Sequence, residues 1–384
     1  MAALTTEQSM IKDQATAWMT EQAPVQQFRK MRDSGVASRF EQSTWKGMVE
    51  MGWTGMIVPE QYGGSDLGYL TFGIVLEQVG RQLTASPLFA SALVGASAIL
   101  LAGIEAQKQA WLPKIVDGSA IFTLAIDEGT RHAPARTALQ ATATANGYRL
   151  NGVKSFVLEG AAATQLIVVA RSSAQPGDTG GISMFIVPAD ATGITRHALS
   201  TVDSRGYANI EFNNVDVGAD ALLGQLDQGY AVLDQILDRA RAGLGAEMLG
   251  TASRAFDMTL DYLKTRVQFG QLIGSFQALS HRAAGHFTQM ELNRSCVEAA
   301  LQAIDSAASD GSDARHVAQL CSLSKARTGA FLYQMSNDLI QIHGGIGMTD
   351  EFDAGFYLKR ARALEATYGN QAFHRDRYAA LLGY

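Results

Sequence analysis

The stretch Gly147-Tyr148-Arg149-Leu150-Asn151-Gly152-Val153-Lys154 decides how the chain is laid out. Asn-Gly between residues of strand character is what a type I′ hairpin turn asks for, because both central residues need φ above zero. Short apolar or β-branched runs bounded by turn residues lie on either side, at Ile121 to Ile126, Leu166 to Ala170 and Ile182 to Val187. Tyr207 to Phe212 alternates, which puts Ala208, Ile210 and Phe212 on one strand face. These runs predict an antiparallel, β-barrel-like domain over residues 118–223.

The flanking segments read as helices. Residues 1–117 predict an N-terminal α-helical domain. Thr5 and Gln8 form a candidate capping box, and apolar residues recur near helical spacing through Trp18, Met48 and Met51. Pro59 and Gly63-Gly64-Ser65-Asp66 break the pattern before Ile74, Val75, Leu76 and Val79 resume it. Residues 224–384 carry heptad-like apolar spacing through Val232, Leu233, Ile236 and Leu237, then Met258, Leu260 and Leu263, then Leu320, Leu323 and Leu332. That length and spacing predict a C-terminal four-helix bundle. The fold class is therefore a multi-domain α+β protein: helices, sheet, helical bundle.

Composition excludes several classes. A chain of 384 residues exceeds what one core usually serves. A hydrophobic fraction of 47% with 18% charged residues is that of a folded protein. The net charge of −6, without a dense Lys/Arg block, argues against nucleic acid as a partner. The uncharged run Leu88 to Ile104 is short for a membrane span and rich in small residues, so it reads as a buried helix. The start MAALTTEQSMIKDQ is polar and acidic, unlike a signal peptide. Cys296 and Cys321 sit in apolar helical stretches without a metal or disulfide pattern, which suits a reducing cytoplasm. No GxGxxG follows a strand and no P-loop is present, so a Rossmann domain is not expected.

Two constellations carry chemistry. Arg266-Val267-Gln268-Phe269-Gly270, followed by Ile273, Phe276-Gln277 and His281, sets a cation, a glycine break and an amide between two helical segments. Such a set could hold a diphosphate and an adenine, because the arginine fork matches phosphate. It could equally be a helix–loop–helix corner with a surface arginine. Gln341-Ile342-His343-Gly344-Gly345-Ile346-Gly347 offers paired glycines that let a phosphate approach backbone N–H groups. Alone, it could be a helix C-terminus ending on glycine.

With Gly55 to Gly64, Glu77 to Arg81, Gly147 to Lys154, Phe185 to Pro188 and Val215 to Gly224, these segments resemble the acyl-CoA dehydrogenase family over nearly the whole chain. The resemblance implies an α-bundle, β-barrel-like and α-bundle architecture, assembled as a dimer of dimers with FAD bound across a subunit interface. Arg266, Phe269 and Gln277 would face the ADP part of an FAD held mainly by the neighbouring subunit, as would Gln341, Gly344 and Gly345. Phe156 and Asn370 are the further cofactor contacts implied. The implied reaction is α,β-dehydrogenation of an acyl-CoA to the trans-2-enoyl-CoA: a carboxylate takes the α-proton and the β-hydrogen leaves as hydride to the flavin. Hydrogen-bond donors must meet the developing enolate, and burial must raise the pKa of the base. An electron-transfer flavoprotein is the implied acceptor.

The sequence departs from the family where the base belongs. The family's Tyr-Glu-Gly-Thr segment reads Thr367-Tyr368-Gly369-Asn370, and the alternative position, just before Arg241, is Ala240. Glu247 is the remaining candidate. It lies seven residues on, about 10 Å along the helix axis, with apolar neighbours Ala246, Met248 and Leu249. A polar residue at a cavity floor or subunit contact is the bland alternative. The flavin-ring segments depart too, reading Ile126-Asp127-Glu128-Gly129-Thr130 and Phe156-Val157-Leu158. Phe156 could still pack on a ring system, whereas Leu158 lacks the hydroxyl of the family's threonine.

Three readings follow. The chain is an active FAD-dependent acyl-CoA dehydrogenase with Glu247 as base. Or it is a non-catalytic subunit completing the FAD site of a related partner in a heterotetramer, as in bacterial members that act on steroid or other bulky acyl-CoAs. The Arg360 to Glu365 segment and His374-Arg375-Asp376-Arg377 resemble those members. Or it is a flavin monooxygenase on the same fold.

Overall fold

The computed structural model describes residues 4–310 and 313–384. The first three residues of the polar N-terminal stretch lie outside them. Six helices come first: α1 (Thr6–Gln22), α2 (Val25–Ser34), α3 (Gln42–Glu50), α4 (Gly68–Gln82), α5 (Ala96–Ala102) and α6 (Glu105–Val116). Eight strands follow: β1 (Phe122–Ala125), β2 (Gln140–Thr144), β3 (Gly147–Val157), β4 (Gln165–Arg171), β5 (Ile182–Pro188), β6 (Ile194–Ala198), β7 (Ala208–Gly218) and β8 (Leu222–Leu223). Then come α7 (Gly229–Thr265), the short strands β9 (Val267–Gln268) and β10 (Gln271–Leu272), and α8 (Gln277–Asp310), α9 (Ala314–His343), α10 (Ala354–Ala366) and α11 (Gln371–Leu382). Helices, sheet and helices thus follow in the expected order. The expected capping box at Thr5 and Gln8 opens α1.

The chain divides into two compact units. One holds residues 30–68 and 85–240 and contains the sheet. Its strand order is β6-β7-β3-β2-β4-β5-β8, with β1 beside β4. The sheet is mixed rather than purely antiparallel, because β1 runs parallel to β4. The long connection through β2 and β3 permits this, where a tight hairpin would force the antiparallel pairing. Leu150, Val168, Phe185, Ile210, Phe212 and Val215 form its core, every one of them 3% exposed or less. The run Leu88 to Ile104 is helical as expected: a π-helical turn over Phe89–Gly95 leads into α5, and Phe89 to Ile99 are buried.

The Asn-Gly reading needs correction. The hairpin turn falls at Ala145-Asn146, since Thr144 pairs with Gly147. Asn151-Gly152 lies inside β3, at a shift in its register with β7 between Leu150 and Gly152. Asn151 Oδ1 accepts the Asn214 N–H at 2.8 Å. Gly152 has φ 143°, and a Cβ there would stand 2.9 Å from Leu139 Cα. The conformational freedom of the dipeptide goes into a bulge, which takes the same residues as a turn.

The second unit, residues 1–29, 69–84 and 241–384, is helical. Within it α9 packs on α8, α10 and α11. The helix dipole and open N–H groups at the start of α4 are met by the Asp305 carboxylate of α8, which accepts from the N–H groups of Tyr69 (2.6 Å) and Leu70 (2.9 Å). Helices α4 and α7 cross at glycines: a Cβ on Gly80 would stand 2.0 Å from the Glu247 carbonyl oxygen, and one on Gly250 1.8 Å from that of Glu77.

Candidate cofactor and reaction site

Helix α7 ends at Thr265, and the chain reverses through β9 and β10 on a turn of Phe269 and Gly270, with φ 54° and 78°. Two successive positive φ values make this the turn whose twist suits a two-residue hairpin. Phe269 is 90% exposed. It touches Phe276 edge-on, with centroids 6.1 Å apart. Arg266 is exposed, and so is Gln277, the first residue of α8.

The second constellation lies at the end of α9. Gly344 has φ 61° and ends the helix, its N–H donating to the carbonyls of Gln341 and Ile340. Around Gly344 and Gly345 nothing stands within 4 Å of where a Cβ would be, and Gln341 is exposed. One contact joins the two constellations: Tyr262, one turn before Arg266, stacks on His343 at 4.3 Å between centroids. The Arg266 N–H donates to the Tyr262 carbonyl at 2.9 Å. An exposed guanidinium, an exposed flat ring and open glycine backbone thus share one end of the helical unit. That donor set fits the diphosphate and adenine of a dinucleotide.

The segment where the resemblance implies the base is a tight turn between α10 and α11. Tyr368 is buried with φ 53°, and Gly369 has φ 105°. Asn370 caps α11, its Oδ1 accepting the Phe373 N–H at 3.0 Å. Lys325, 1% exposed on α9, donates from Nζ to the carbonyls of Gly369 (2.9 Å), Leu364 (3.0 Å) and Glu365 (3.0 Å). Burial pulls its ammonium down to about 7; the Glu365 charge opposes this and the Arg241 charge adds to it. His374 is fully buried with Nε2 donating to the Tyr368 carbonyl at 3.1 Å. Burial first, then the charges of Arg241 and Lys325, hold it neutral far below the usual imidazole range. A cavity of ≈320 Å³ opens beside this turn, its wall including Gln371, His374, Arg327 and Arg375, with no carboxylate among its lining residues. Cations and the N-terminus of α11 favour an anionic group here.

Glu247 is 0% exposed on α7, and its Oε1 accepts from Arg360 NH1 of α10 at 3.1 Å. It is buried as expected, but it faces a guanidinium and lines neither this cavity nor the cleft beside His343. Ala240 is fully buried.

In the sheet unit, Phe156 is 53% exposed with φ 51°, and its N–H donates to Asn209 Oδ1 at 3.0 Å. Leu158 is buried, its carbonyl accepting the Thr123 hydroxyl. Lys154, fully buried, bonds the Glu128 carboxylate at 2.6 Å and the Ile126 carbonyl at 2.9 Å. Asp127 Oδ1 holds His132 Nδ1 at 2.9 Å. The altered segment Ile126 to Thr130 thus carries its own polar network. Lys325 and Tyr262 were not singled out from the sequence, and Arg360 and His374 stood out only as parts of longer segments, without the bonds they make; a lone cation inside an apolar helical stretch is the signal that Lys325 offered.

Three domain descriptions match the chain: acyl-CoA dehydrogenase N-terminal domain at residues 5–119, middle domain at 126–215 and C-terminal domain at 227–382. A mitochondrial isovaleryl-CoA dehydrogenase of Solanum tuberosum is 31% identical over 86% of this chain and 80% of its own. The solved Tcur3481-Tcur3483 steroid ACAD G363A variant superposes with a TM-score of 0.86 at 28% identity, covering 98% of this chain and 97% of that one. A solved FAD-dependent dehydrogenase superposes at 0.87 with 25% identity, covering 99% of each.

Proposed function

The chain belongs to the acyl-CoA dehydrogenase family, and from that premise we propose that it takes part in FAD-dependent α,β-dehydrogenation of an acyl-CoA as the subunit completing a neighbour's FAD site. Its own residues supply the ADP side: Arg266 pairs with phosphate, Phe269 gives a flat apolar face, and Gly344 and Gly345 offer backbone. Gln277 and Gln341 add amide donors. FAD, when bound, accepts the β-hydrogen of the substrate as hydride.

The observation that carries this reading is the contrast between two places. Arg266, Phe269, Gln277, Gln341, Gly344 and Gly345 are exposed, and a Cβ at either glycine would meet nothing within 4 Å. The one carboxylate the sequence offered as base, Glu247, is engaged with Arg360 inside the helical unit. Tyr368 and Ala240, at the family's two base positions, cannot remove an α-proton as a carboxylate would. A related partner subunit then carries the base, in a heterotetramer, and an electron-transfer flavoprotein takes the electrons. The likeness to a steroid ACAD supports a bulky acyl group as substrate.

The test is the visible absorption spectrum of the chain purified alone and after co-expression with a related subunit. Flavin gained only with the partner supports the reading. One FAD per chain, bleached by an acyl-CoA in the isolated protein, overturns it in favour of a self-sufficient enzyme. The burial of Glu247 among Ala246, Met248 and Leu249 favours that second reading. It requires Arg360 to release the carboxylate, and a Glu247→Gln variant that retains FAD but not turnover would support it.

A further inference from the structure

A second cleft lies in the helical unit, with a volume of ≈500 Å³, walled by the C-terminal half of α7, the α1–α2 corner, the end of α4 and the start of α10. That is within the size range of small-molecule sites. None of Arg266, Phe269, Gln277, Gln341, Gly344 and Gly345 lines it.

Its charges are unequal in a telling way. Asp353, on its wall, is bound to Arg29 at 2.7 Å. Asp257, one turn from Arg254 on α7, is bound to Arg81 at 2.6 Å. Arg254, half-buried in the wall, has no carboxylate in ion-pair range among the described residues; it stands against the phenol of Tyr357. The Tyr357 hydroxyl is fixed in turn, donating to the Arg81 carbonyl at 2.7 Å. The remaining wall acid, Asp261, is exposed, two turns along α7 and so about 10 Å from Arg254 by helical rise.

The apolar part is flat. His343 lies between Tyr262 and Phe352, at 4.3 Å and 4.6 Å between centroids. Its Nδ1 donates to the Leu339 carbonyl at 2.8 Å, and burial lowers its pKa, so the imidazole is neutral. Arg254 is therefore the cleft's one cation among the lining residues. Tyr262, Phe352 and Met258 supply ring faces and a thioether to the same cleft wall.

We propose that this cleft binds a small organic carboxylate with a flat apolar body, its carboxylate on Arg254 and its ring against Phe352 and Tyr262. A guanidinium offers its N–H groups as a fixed fork, which matches a carboxylate in two parallel hydrogen bonds. The inference does not depend on the reaction proposed above.

The test is isothermal titration of the full-length chain with sodium benzoate and with benzamide, its neutral isostere, with and without FAD at fixed ionic strength. Saturable benzoate binding is expected, with benzamide weaker by about tenfold or more because the charge-assisted pair is lost. Arg254→Gln removes benzoate binding and Arg254→Lys weakens it, since a point charge does not reproduce the fork. Phe352→Leu weakens benzoate and benzamide alike, and Asp261→Asn tightens benzoate. Circular dichroism confirms that each variant is folded; the Phe352 and Asp261 variants carry the test if Arg254→Gln is not. The proposal is overturned by equal binding of benzamide, by benzoate binding unchanged in the Arg254 variants, by no saturable binding at all, or by benzoate displaced by FAD, which would make the cleft part of the cofactor site.

Discussion

Glu247 Oε1 and Arg360 NH1 stand 3.1 Å apart with side chains 0% and 1% exposed, joining α7 to α10 inside the helical unit. Removing the carboxylate takes a charge-assisted bond from a guanidinium that lies where water does not reach. Glu247→Gln is therefore expected to destabilise by about 3–5 kcal/mol, whereas Glu247→Leu with Arg360→Met is expected to come out near neutral. Urea unfolding of the two variants checks this. A Glu247→Gln protein as stable as the parent would mean that Arg360 is solvated or paired elsewhere, and that the carboxylate is available for chemistry.

Lys325 makes a prediction on the alkaline side. Its pKa falls from the ordinary lysine value of 10.5 to about 7 on folding, chiefly through burial. Between about 7 and 10.5 the unfolded chain binds more protons at this site than the folded one, so stability rises with pH across that window. Below about 7 the group adds no slope. Unfolding measured from pH 6.5 to 9.5 should show the parent gaining on Lys325→Met as pH rises. Parallel curves would mean that the lysine keeps its proton through its three carbonyls.

How much of this was legible in the residues depends on range. Arg266, Phe269, Gln277 and the glycines at 344 and 345 could be named because each motif is local, written in nearly consecutive positions, and the structure shows them exposed. The pairings of Lys325 and Arg360 could not, because the first partner of each lies 39 and 113 positions away. Glu247 was read as buried from its apolar neighbours, correctly for its own helix. The guanidinium opposite comes from α10, and helical periodicity in α7 carries no trace of it. Asn151-Gly152 failed differently: a bulge and a type I′ turn ask for the same residues, and only the pairing of β3 with β7 distinguishes them.

His374 sets an acid limit. Its Nε2–H is committed to the Tyr368 carbonyl, and the folded protein keeps the ring neutral well below its ordinary 6.5. Below about pH 6.5 the unfolded chain takes up a proton that the folded one refuses. Stability from this site is thus present above that pH and lost as pH falls below it. His374→Gln, which keeps a donor for the carbonyl, should flatten the loss between pH 6.5 and 5. An unchanged acid slope would assign the loss to carboxylates instead.

Phe269 provides the sharpest test of the neighbour-facing edge. A phenylalanine at φ 54° and 90% exposed is a poor choice for the isolated chain. The left-handed conformation costs a residue with a Cβ about 1–2 kcal/mol, and the ring buries almost nothing in return. Phe269→Gly should relieve that strain and leave the isolated chain as stable as the parent or more so, by up to about 1 kcal/mol after the entropy of glycine is set against it. The same substitution removes the flat face offered to a neighbour's cofactor, so FAD retention in the assembled protein should weaken. Opposite signs in one variant, stability of the chain alone against flavin content of the assembly, separate a recognition role from a folding role. If both fall together, the ring serves the fold through Phe276, and the cofactor contact must be sought at Arg266 and the α9 glycines alone.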